Sequence, residues 1–154
     1  MADIASPSVA VSESVNRLGI SLLQALSNKN DGNVFISPFS LATALAMLHS
    51  GARGETRKEM RKVLGYEDAG IQDEKVAEAF SGLLSSLDNS SNSYVLSCAN
   101  SLVAQQDFAV KDEYKGLLTE SFRASLFLAD FKKEPEKAVA DINKWVGEKT
   151  NGEA

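Results

Sequence analysis

Cysteine is almost missing from this sequence, and its single instance, Cys98, excludes an intrachain disulfide. Placed in an apolar alternating stretch, Cys98 reads as a buried, inert thiol and not as a redox centre. The one histidine, His49, stands far from it in the chain, so no Cys/His cluster is available for a metal, and no cofactor is implied. A positive excess is lacking too. Sixteen Lys and Arg against 21 Asp and Glu leave a net charge of -5, which argues against nucleic acid or an anionic membrane as partner. No run is long and apolar enough to cross a bilayer. Residues 1–11 lack the basic segment followed by an apolar stretch that marks a secretory signal. That predicts a cytoplasmic protein, with an extracellular one, exported by another route or already processed, as the alternative. Catalytic signatures are absent as well: His49 has Ser50 as its neighbour, but adjacent residues on a helix point apart, and there is no GxSxG elbow. No enzyme activity is expected.

What is present is an ordinary globular composition, 44% hydrophobic and 24% charged over 154 residues, enough for one domain. Residues 1–10 are small and polar and read as a flexible tail, with the domain running from 11 to 154. Val11, Val15, Leu18, Leu22 and Leu26 recur at helical spacing and make one apolar stripe. Asn28 to Gly32 is a turn. Val34-Phe35-Ile36 reads as a brief buried strand. Ser37-Pro38 opens a helix, the serine as N-cap and the proline at the first helical position, where an N–H is unneeded. That helix is apolar almost all round, which predicts deep burial, and Gly51 is its expected C-cap. Thr56 and Glu59 have the spacing of a capping box before a short helix with Met60, Val63 and Leu64 that stops at Gly65.

A further helix starts near Asp73, with Val76, Phe80, Leu83 and Leu87 on one face. Tyr94 to Val103 reads as a long strand with two apolar faces, expecting cover on both. A helix with Tyr114, Leu117, Leu118 and Phe122 follows, then a β-prone segment from Ser125 to Phe131. The last helix opens at Glu134-Pro135, carries Ala138, Ile142, Trp145 and Val146, and ends at Asn151-Gly152. The fold class is α+β, with too few strands to complete a sheet.

Four stretches, in order, resemble one family. Asn33-Val-Phe-Ile-Ser-Pro-Phe-Ser40 is similar to the serpin signature at the strand entering the buried helix. Leu48-His-Ser-Gly-Ala-Arg-Gly-Glu-Thr56 resembles the turn after that helix. Ala99-Asn-Ser-Leu102 resembles the long strand of the main sheet. Asp130-Phe131, Asp141-Ile-Asn-Lys-Trp-Val146 and Thr150-Asn-Gly152 resemble the next strand and the helix lying across the sheet. The resemblance implies helices A to F, strands 2 and 1 of the main sheet and one core strand of a second sheet. The rest of the fold, and the reactive-centre loop, would lie in the family's later part.

The same resemblance implies inhibition of serine proteases by reactive-loop insertion in the full-length protein, with no scissile bond in this chain. Ser37, Pro38 and Ser40 match the shutter beneath the opening sheet. Ile142 and Trp145 match the helix that insertion must displace or pass. A non-inhibitory role in transport, storage or chaperoning is the alternative, and a third reading is a truncated chain without activity of its own.

The basic cluster Arg53, Arg57, Lys58, Arg61 and Lys62 is interrupted by Glu55 and Glu59 and reads as a solvated helix face. Gly51-Ala-Arg-Gly54 lacks the residues of a phosphate loop and reads as a turn. The segment matching helix D, Asp73 to Asn89, carries only Lys75 as a cation, so no glycosaminoglycan site is expected there. Asn89-Ser90-Ser91 is a formal glycosylation sequon. Taken alone, the chain is expected to be partly molten or aggregated and to self-associate through unpaired strand edges.

Overall fold

The computed structural model describes residues 6–29, 32–88 and 98–150. The sequon at Asn89 and the first part of the expected long strand, 94–97, lie outside them. Two compact units divide the chain, Met1–Ser86 and Leu87–Ala154.

Ser6-Pro7 starts the first helix, because proline at the head of a helix gives up only an N–H that has no intrahelical acceptor. Helix α1 runs Pro7–Ser27, so the end of the tail expected to be flexible is already helical. Of its stripe, Val11 is wholly buried and the other members are half-buried. Helix α2 is Pro38–Gly51, with Ala52 as the C-cap where Gly51 was expected. It packs against α1 at a close approach: a Cβ on Gly19 would stand 2.7 Å from Pro38 Cγ, so glycine lets the Pro38 ring lie against the α1 backbone.

Helix α2, apolar almost all round, is covered on one side only within this segment. Ala42, Thr43, Ala46, Met47 and His49 face inward, whereas Leu41 and Leu48 are exposed. The brief strand at 34–36 is corrected: these residues are neither strand nor paired, and Phe35 is 99% exposed. A three-residue β-prone run becomes a strand only beside a neighbour, and no described residue supplies one.

Helix α3 spans Gly54–Val63. Its N-cap is Arg53 and not Thr56, so the capping box does not form; Gly54, at φ 61, turns the chain into the helix three residues early. The stop at Gly65 holds. Gly65 N–H donates to Lys62 and Tyr66 N–H to Arg61, with Gly65 at φ 71, a Schellman ending that needs a left-handed residue. A 3-10 turn, Asp73–Lys75, leads into α4, Val76–Asp88. Val76, Ala79, Phe80 and Leu84 are its buried residues. Together with Val11, Tyr66 and Ile71 they form the core of this unit.

In the second unit, strand β1 is Ser101–Gln105 and β2 is Ser125–Ala129, paired in parallel from Ser101 with Ser125 to Gln105 with Ala129. A parallel pair demands a long crossover. Helix α5, Asp112–Phe122, provides it and packs on β2, with Leu118 and Phe122 wholly buried. Helix α6, Pro135–Lys149, follows. Cys98, expected inside, is exposed on the segment that leads into β1. That segment, 98–100, is not strand, so the observed strand starts later and ends later than the apolar pattern predicts.

Candidate functional site

The residues matched by resemblance fall in different units, Ser37, Pro38 and Ser40 in the first, Ile142 and Trp145 in the second. At the head of α2 the Ser37 hydroxyl accepts the N–H of Ser40 at 3.4 Å, and the two hydroxyls meet at 2.8 Å. Both serines are exposed and Pro38 is half-buried. One turn further in, the Thr43 hydroxyl donates to the Phe39 carbonyl at 2.8 Å. Serine caps and a proline start therefore place this corner, and the contact of Pro38 with Gly19 anchors it to α1.

Across the first unit, α2 carries His49 into the interior beside Tyr66, edge-on at 5.2 Å between ring centroids. Its Nε2 lies 3.5 Å from Asp73 Oδ1. Asp73 in turn binds Arg61 at 2.6 Å and Arg57 Nε at 2.9 Å. The basic face of α3 is thus partly turned inward, where Arg57 and Arg61 hold Asp73, while Lys58 pairs with Glu55 at 2.6 Å on the surface. Arg53 donates to the carbonyls of Ser50 and Ala52. Lys75 pairs with Glu78. Sequence spacing alone does not reveal this cluster, because His49 and Asp73 are brought together by the turn at Gly65.

In the second unit, the ends of the parallel pair are tied to the start of α6 by one carboxylate. Asp130 accepts from the side-chain amides of Gln105 at 3.0 Å and Gln106 at 2.8 Å, and from the backbone N–H groups of Lys132 and Lys133. The Gln105 amide bond leads the effects holding this carboxyl below the usual carboxylate range. Gln105 also accepts the N–H of Phe131. At the other end, the Asn100 side chain donates to the last carbonyl of α5, on Phe122, at 3.1 Å. Asn100 and Asp130 both lie within the matched stretches, yet their roles as clamps were not read from the sequence. Over the sheet, Trp145 meets Phe127 edge-on, with centroids 5.3 Å apart, and Ile142 is half-buried one turn earlier on α6.

The description Serpin (serine protease inhibitor) belongs to the family model that matches residues 13–154. The chain belongs to the serpin family. This serpin is 39% identical over 137 residues to Iripin-8 of Ixodes ricinus, covering 89% of the chain and 34% of that relative. It is 40% identical over 142 residues to Intracellular coagulation inhibitor 1 of Tachypleus tridentatus, covering 92% and 34%. Among solved structures, a cleaved Serpin 42Da superposes with a TM-score of 0.82 at 27% identity, covering 97% of the chain and 39% of that protein. Emu ovalbumin (Dromaius novaehollandiae) superposes with a TM-score of 0.85 at 25% identity, covering 94% and 40%. The serpin segment therefore spans about a third of the length of these curated relatives. The α+β partial serpin fold expected from the sequence is the fold found.

Proposed function

We propose that this chain is the N-terminal part of a serine protease inhibitor that traps its target by inserting a cleaved reactive loop into the main sheet. The observation that carries the reading is the serpin match across residues 13–154. The relative named as a coagulation inhibitor supports it. Insertion adds a strand to a sheet, so strands must part and whatever lies over them must yield. On this reading the parallel pair β1–β2 belongs to the sheet that opens. Ile142 and Trp145 belong to the helix that is passed, and Ser37, Pro38 and Ser40 belong to the shutter. The bait loop belongs to the part of the family beyond this segment, so residues 1–154 supply no scissile bond and trap nothing by themselves.

The test is incubation of the full-length protein carrying this segment with trypsin-like, chymotrypsin-like and elastase-like proteases. An SDS-resistant complex heavier than either component is expected with at least one of them. Cleavage of the loop with full recovery of active protease in every case would overturn the inhibitory reading in favour of a transport, storage or chaperone role.

A further inference from the structure

His49 is the single histidine of the chain, and it is wholly buried. Neither ring nitrogen has a hydrogen-bond partner, and the hydroxyl of Tyr66 against it has none either. At 3.5 Å from Asp73 Oδ1, Nε2 is too far for a good hydrogen bond. The carboxylate is turned instead to Arg57 and Arg61. These groups come from three helical pieces and the turn between two of them. His49 is on α2, Arg57 and Arg61 are on α3, Tyr66 is in the turn after it, and Asp73 is in the 3-10 turn that starts α4. One negative charge already faces two positive ones. A neutral imidazole leaves that excess at one, whereas a protonated imidazole raises it to two, on a ring that is itself wholly buried.

We propose that His49 is an acid-operated release for this corner: on taking up a proton it loosens the 3-10 turn and the start of α4 from α2 and α3. Burial is the main effect holding the imidazole below its ordinary value; Asp73 opposes it, and Arg57 and Arg61 add to it. The sign follows. A histidine with a depressed folded value contributes its full stability above the unfolded value. That stability drains away as the pH falls from there toward the folded value, because the open state binds the proton more readily. In that window the opening equilibrium at this corner rises about tenfold for each pH unit.

Hydrogen–deuterium exchange of the full-length protein, corrected for the intrinsic rate and read over residues 54–64 and 73–84, tests this at roughly pH 7 and pH 5. The wild type is expected to show an acid step in protection there, and none over residues 112–122 in the second unit. His49→Gln is expected to abolish the step. Arg61→Gln, which removes one opposing charge, is expected to shrink it, an effect that a purely packing role for His49 would not produce. Equal protection at both pH values in the wild type would overturn the proposal. So would an acid step that survives His49→Gln, or one that Arg61→Gln leaves unchanged if His49→Gln does not fold.

Discussion

Trp145 on α6 stands edge-on to Phe127 on β2, ring centroids 5.3 Å apart and planes at 69°. Phe127 is paired in register with Val103 of β1, so the indole touches a residue of the strand pair itself. On the inhibitory reading proposed above, this contact joins the sheet that opens to the helix that loop insertion must pass.

Phe127→Leu keeps most of the apolar area and removes the aromatic edge contact. In the full-length protein it is expected to cost about 0.5–1.5 kcal/mol in urea unfolding. Within this segment Trp145 is the only tryptophan, so in a protein with other tryptophans replaced its emission should move to the red in the variant. Unchanged emission and stability would mean that the contact is incidental.

Asp130 joins both glutamines at the end of β1 to the turn before α6. Its side chain is covered by those amides and not sunk among apolar atoms, so the effect is one of hydrogen bonds to the charged form. Because its folded value is lowered, led by the Gln105 bond, its contribution is complete above the ordinary carboxylate value. The contribution is lost as the pH falls through the depressed one. Asp130→Asn is therefore expected to be less stable at neutral pH and to show a flatter acid limb. An acid-unfolding profile parallel to that of the wild type would contradict this.

Gly19→Ala would push a methyl group to within 2.7 Å of Pro38 Cγ. A cost of roughly 1–3 kcal/mol is expected, since neither helix backbone can give easily. Pro38→Ala in the same chain should recover part of it. Strictly additive effects in this double-mutant cycle would show that the two helices are looser here than the geometry states.

Residues 1–154 expressed alone should bind a hydrophobic dye and self-associate as concentration rises. Phe35 at 99% exposed, Val63 at 70% and Phe108 at 66% are large side chains that a finished domain covers. Each fully buried side chain of that size contributes roughly 1.5–3 kcal/mol, against about 5–15 for a whole domain. A monomer with one sharp, reversible melting transition and no dye binding would refute this.

Much of the local structure was legible in the residues. The stripe from Val11 to Leu26, the Ser37-Pro38 start, the stop at Gly65 and the Glu134-Pro135 start are local signals, set by helical spacing, proline's fixed φ and glycine's freedom at positive φ. Two of the errors share one cause. Val34 to Ile36 and the segment at Cys98 are apolar, and each was assigned to the interior, yet apolarity states only a demand for cover. Whether cover exists depends on distant parts of the fold. The capping box at Thr56 failed for another reason: Gly54 bent the chain first, and the helix began before the threonine could cap it.

The sequence by itself determined the α+β class, the order of the helices and, through Asn33 to Ser40 and Asp141 to Val146, the serpin family. These follow from short-range periodicity and motif order, which survive without knowledge of contacts. Only the tertiary structure decided that β1 and β2 lie parallel in register, that Asp130 clamps their ends, and that His49 is buried against Tyr66 and Asp73. Those relations join residues on either side of a turn or crossover. Their chemistry is a matter of distance in space, which sequence spacing does not carry.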